Sequence, residues 1–201
     1  MIDFDGNREE WVSAVLTAYQ VQGRVQWFKV QGRSMRPLLQ EGDEIQVGFC
    51  LPENLRKGDL AVFWEGAVLT AHRILNIRKT PPEILFLEKG DSNPEGSFIP
   101  SSRIKGVVQA VRKPWGVIGL DQSCWRRWNR MVAGAGYGFI RAYAFFHPLT
   151  KRKTDSPSSY GPLWGYRSWT YLLLFFPLLG EKIRAFFKRP PLPPSPNPNQ
   201  K

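Results

Sequence analysis

The chain has 201 residues, 42% of them hydrophobic, and its 28 Lys+Arg against 17 Asp+Glu give a net charge of +11. That length allows one domain with its own core plus an appendage. The two cysteines, Cys50 and Cys124, lie far apart with no CxxC spacing, and the only histidines are His72 and His147. This composition argues against a zinc site and leaves a single disulfide as an open alternative. Charge divides the chain: residues 1–110 hold 13 Lys+Arg and 14 Asp+Glu, whereas residues 111–201 hold 15 and 3.

The first ten residues carry Asp3, Asp5, Glu9 and Glu10 against Arg8, opposite to the charged start of a secretory signal. A helix is predicted within 1–23. Asn7 with Glu10 forms a capping-box-like start, Trp11, Val12, Val15, Leu16 and Tyr19 share a face, and Gly23 ends it. Its uncharged stretch, Trp11 to Gly23, is shorter than the roughly 18 to 20 residues a bilayer crossing needs. The helix is therefore expected to pack on the following domain, with a position on a membrane surface as the alternative.

From 24 to 112 short apolar or alternating pieces are separated by Gly-, Pro- and Asp-containing turns: Val25 to Val30, Glu44 to Phe49, Leu60 to Trp64, Ala67 to Ile77, Ile84 to Glu88 and Ile104 to Val111. This pattern predicts a mainly β domain. Residues 113–189 turn aromatic and basic, with Trp115, Trp125, Arg126, Arg127, Trp128 and Arg130, and are expected to be helical, interrupted by a polar linker at Lys151 to Pro162. The longest uncharged run there, Ser168 to Gly180, contains Pro177 and is too short to cross a bilayer. Aromatic rings mixed with cations suit an anionic membrane surface. Helices covering the β domain are the competing expectation, and nucleic-acid binding ranks third because no recognition motif accompanies the charge. The proline-rich tail, 190–201, is expected to be disordered or polyproline-like.

Chemistry concentrates in the β segment. Ser34 lies in Gly32-Arg33-Ser34-Met35-Arg36-Pro37, His72 in Ala71-His72-Arg73, and Asp91 in Lys89-Gly90-Asp91-Ser92-Asn93. A serine hydroxyl needs a base within hydrogen-bond reach and a third group that fixes the base's tautomer and stabilises its cation. Ser34 as nucleophile, His72 as base and Asp91 as its partner would fill those roles. Gly32 and the Ser34 N–H stand where an oxyanion site could form, and Met35 and Pro37 are further candidates for substrate contact. Asp43 and Asp59, each after a glycine, read as turn residues, with Asp59 as the fallback partner for His72. His147 reads as structural or interfacial. No metal or organic cofactor is expected.

Those motifs, with Gly42-Asp43, Gly58-Asp59-Leu60-Ala61-Val62-Phe63 and Ile104-Lys105-Gly106-Val107-Val108, make the segment from about Trp27 to Val111 resemble the catalytic domain of the signal peptidase I group, within the wider fold family of the self-cleaving SOS repressors. The resemblance implies a serine endopeptidase. Histidine at 72, where the common bacterial branch has lysine, is similar to the endoplasmic-reticulum and archaeal type, and Asp91 matches that branch's motif aspartate. It also implies a substrate bound as an extended strand, with shallow pockets for small side chains before the cut. Signal peptidases carry an N-terminal membrane anchor. Without one in this sequence, a cytoplasmic precursor or leader peptide is the expected substrate, with the inner membrane face as the alternative location. Two other readings stand beside this one: a non-catalytic peptide-binding scaffold attached to membrane through its basic half, and a self-cleaving regulator, for which about 23 leading residues are too few to make a helix-turn-helix unit.

Overall fold

Apolar side chains at alternating positions between Val25 and Gly119 pair their strands into one antiparallel sheet and turn one face of each strand toward the core. In the computed structural model, which describes residues 4–65, 68–81, 83–93, 95–150 and 161–187, the strands are β1 (Val25–Lys29), β2 (Glu44–Phe49), β3 (Leu60–Glu65), β4 (Val68–Thr80), β5 (Glu83–Lys89), β6 (Ser97–Pro100), β7 (Ile104–Lys113) and β8 (Gly116–Gly119). Their order is β1-β2-β7-β3-β4-β5-β6, with β8 pairing β7. Three helices accompany the sheet: α1 (Phe4–Val21), α2 (Ser123–Thr150) and α3 (Gly161–Phe187).

The mainly β expectation holds, and the sheet is larger than expected. Ser97–Pro100 and Gly116–Gly119 were not foreseen as strands, and the second carries the sheet past the expected boundary at 112. Ile118 and Leu120, both buried, extend the same core.

That core draws on every helix. Leu16 of α1, Trp125 and Val132 of α2 and Leu174 of α3 are buried with Leu38, Val47, Val62 and Val111 of the β segment. Side chains of this size each contribute about 1.5–3 kcal/mol on full burial, so the helices are integral to the folded unit. On α1, Tyr19 meets Phe49 edge-on at 5.3 Å, and the Gln20 side chain donates to the carbonyls of Cys50 and Ile104 at 2.9 and 3.0 Å. Trp11, expected on the packing face, is 71% exposed.

A smaller cluster of Leu75, Leu87 and Ala133 fixes α2 over β4 and β5. Cys50 and Cys124 are free thiols, so no disulfide links them. Among the described residues no helix is long and apolar enough to cross a membrane. The linker segment 151–160 and the tail 190–201 lie outside the described residues.

Candidate active site

Strand parity decides which side chains meet. On β4, His72 and Ile74 face one way, while Arg73 points to the other side of the sheet. Across the ladder Arg73 pairs with Lys89 and Ile74 with Glu88. Directly opposed residues share a face, so Glu88 lies on the His72 side, diagonal to it, at a separation that long side chains bridge. Two more residues of alternation bring Asp91 to the Arg73 side.

The hydrogen bonds follow this geometry. Ser34 Oγ lies 3.0 Å from His72 Nε2, and His72 Nδ1 lies 2.5 Å from Glu88 Oε2. With a carboxylate at Nδ1, that nitrogen carries the proton and Nε2 is left to accept from the Ser34 hydroxyl. The second Glu88 oxygen accepts from the Ser97 hydroxyl. Burial pushes the Glu88 carboxyl up, but hydrogen bonds from His72 and Ser97 and the charge of His72 together outweigh it and hold the group below the ordinary glutamate range. Phe63 packs edge-on against the imidazole, centroids 5.8 Å apart, and closes the ring's inner side.

Asp91 therefore does not orient His72, contrary to expectation. Its carboxylate takes two 2.7 Å bonds from Arg73 Nε and Nη2, and Arg73 Nη1 continues to Asn129 Oδ1 at 2.8 Å and to the Gly58 carbonyl at 3.2 Å. This buried fork ties β4, the turn after β5 and α2 together. The same turn holds the Ser34 loop. Ser92 N–H donates to the Ser34 carbonyl at 2.8 Å, and the Ser92 hydroxyl reaches the Arg33 and Ser34 carbonyls at 2.8 and 2.9 Å. At Gly90 a Cβ would stand 2.9 Å from the Ser34 carbonyl oxygen, so a larger residue would push the two loops apart.

Of the other anticipated contacts, Gly32 and Met35 line a cavity of about 530 Å³ that opens at Ser34. Gly32 has φ 97, in the region that favours glycine, and a Cβ there would meet nothing within 4 Å, which leaves room for a chain to approach. Pro37 does not join them; it lines a separate cleft against α3. Asp59 accepts from the Arg56 N–H at 2.8 Å, and Asp43 from the Gln40 N–H at 2.8 Å and Lys113 Nζ at 2.6 Å, both away from His72. The His147 side chain lies outside the described residues.

Phe28, Leu39, Val62, Trp64 and Leu69 give the cavity an apolar wall. Backbone flanks it on two sides. Among the described residues β1 pairs only with β2, and residues 68–72 pair with β3 but not with β5, so each of these two segments keeps an open hydrogen-bonding edge there.

Glu88 was overlooked because it closes a strand in the sequence pattern and sits outside the motif that holds Asp91. Its distance from Asp91, an odd number of residues, is the signal that the two cannot share a strand face. Neither known protein-family models nor curated proteins match this chain.

Proposed function

We propose that the chain is a serine endopeptidase in which Ser34 is the nucleophile, His72 the general base and Glu88 the group that orients and stabilises the imidazole. The observation that carries this reading is the continuous line of hydrogen bonds from Ser34 Oγ through His72 to Glu88. The antiparallel β architecture and the motifs around Ser34, His72 and Asp91 support a fold similar to that of signal peptidase I and the SOS repressors.

Ser34 Oγ attacks a peptide carbonyl as His72 Nε2 accepts its proton, and the imidazolium formed is stabilised by the Glu88 carboxylate. The proton then passes to the leaving amine as the C–N bond breaks. Water, deprotonated by the same imidazole, releases the acyl group from Ser34. The substrate lies extended between the open edges of β1 and residues 68–72, where main-chain hydrogen bonds supply affinity. Its side chain before the cut enters the apolar cavity beside Ser34. The apolar lining of that cavity favours an apolar group there.

Digestion of a mixed peptide library, read by mass spectrometry, tests this. The wild type is expected to produce a consistent set of cuts after apolar residues, and Ser34→Ala to lower the rate by at least about 10³-fold with an unchanged thermal midpoint. Cleavage that persists in Ser34→Ala would exclude Ser34 as nucleophile.

A further inference from the structure

Leu174 is fully buried, and the opposite side of α3 is apolar too. At 100° per residue, Leu172, Phe176, Leu179 and Ile183 fall within about 40° of the direction opposite Leu174, and Phe175 lies about 80° from it, on the Lys182 side. All five are exposed, Phe176 by 61% and Ile183 by 48%. A four-residue Leu/Phe/Ile stripe facing outward, with Phe175 beside it, is an unusual surface for a chain that stands alone in water.

Lys182 and Arg184, both exposed, flank the stripe on its two sides, while Glu181, the one acid of α3, is turned toward the packed side and bonds Arg184 at 3.2 Å. We infer that this face of α3 docks on an anionic lipid surface, lying in the interface with its apolar stripe among the acyl chains and its cations at headgroup level.

Three observations favour lipid over other occupants. The rim is cationic and the stripe uniformly apolar, with no polar side chain among its four members to specify a protein partner's register. Residues 123–150 and 161–187 together hold seven Lys+Arg and one acid. A second copy docked here would bring two such halves together, and their repulsion opposes it, whereas an anionic surface draws them in. Finally, the cleft of about 610 Å³ between α3 and the sheet, lined by Leu172, Phe175, Leu179, Trp115 and Lys182 among others, continues the stripe inward, offering apolar room beneath a cation. Docking is a separate property from the chemistry at Ser34 and does not rest on it.

The test is co-sedimentation of the full chain with mixed phosphatidylglycerol/phosphatidylcholine vesicles and with phosphatidylcholine alone. The chain is expected to partition onto the anionic vesicles and only weakly onto neutral ones. Phe176→Ser with Ile183→Ser, both exposed and so neutral for folding by circular dichroism, is expected to weaken partitioning by at least about ten-fold. Replacing Lys182 and Arg184 by Gln is expected to weaken it by roughly five-fold each. The inference falls if the chain ignores anionic vesicles, binds neutral ones equally well, or partitions unchanged in both variants. It also falls if the lipid-free chain is a dimer that Phe176→Ser with Ile183→Ser dissociates, because a second copy would then cover the stripe.

Discussion

Around Ser34 the decisive side chains differ by single positions. Glu88 and Lys89 are neighbours on β5, yet one serves the imidazole and the other lies buried on the opposite face with its ammonium donating to the Gly90 carbonyl at 2.9 Å. The Lys89 pKa is lowered to about 8, with burial the largest cause of the net shift. Within that net shift Asp91 and Glu88 oppose burial and Arg73 adds to it. The unfolded chain therefore binds more protons than the folded one between pH about 8 and 10.5, and stability should rise with pH across that window. Urea unfolding is expected to show the wild type gaining up to roughly 3 kcal/mol over this range, with the gain absent in Lys89→Met. Ser34 and His72 were legible in the sequence because each sits in a distinctive local motif. Glu88 was not, because its role depends on the ladder register between β4 and β5, and no local pattern encodes register.

Among elements, the Arg73 fork is the joint that makes the site a unit. It connects the His72-bearing strand β4 to the turn at Asp91, and that turn clamps the Ser34 carbonyl through Ser92. Asn129 brings α2 into the same network. Arg73→Met leaves the Asp91 carboxylate buried without a counter-charge, and loss of one partner of such a pair costs about 3–5 kcal/mol. Denaturant titration is expected to show that loss, together with weaker hydrogen-exchange protection in 33–35 and 90–93. Unchanged stability would mean that the fork does not hold the loop. The six strands expected from alternation all formed. Ser97–Pro100 and Gly116–Gly119 escaped notice because four residues, two of them glycine in the second case, are too few to display a period of two. The helical reading of 113–189 holds through α2 and α3, and α3 continues through Pro177 rather than stopping there.

For the whole molecule, the division of charge seen in the sequence coincides with a division of architecture. The near-neutral part builds most of the sheet and the whole Ser34–His72–Glu88 line, while the basic part supplies α2, which braces that line from behind, and α3, whose outer face remains apolar. Composition could reveal that two kinds of segment were present. It could not reveal that they share one core, because Trp125, Val132 and Leu174 join Leu38 and Val111 only through tertiary packing. The central claim is that Glu88, not Asp91, completes the catalytic line through His72. It is tested most directly by the rate at which Glu88→Gln hydrolyses a peptide that the wild type cleaves, measured beside Asp91→Asn. Glu88→Gln is expected to lower kcat by roughly 10²- to 10⁴-fold with a near-native thermal midpoint, and Asp91→Asn to act mainly through stability. Full activity in Glu88→Gln would contradict the account.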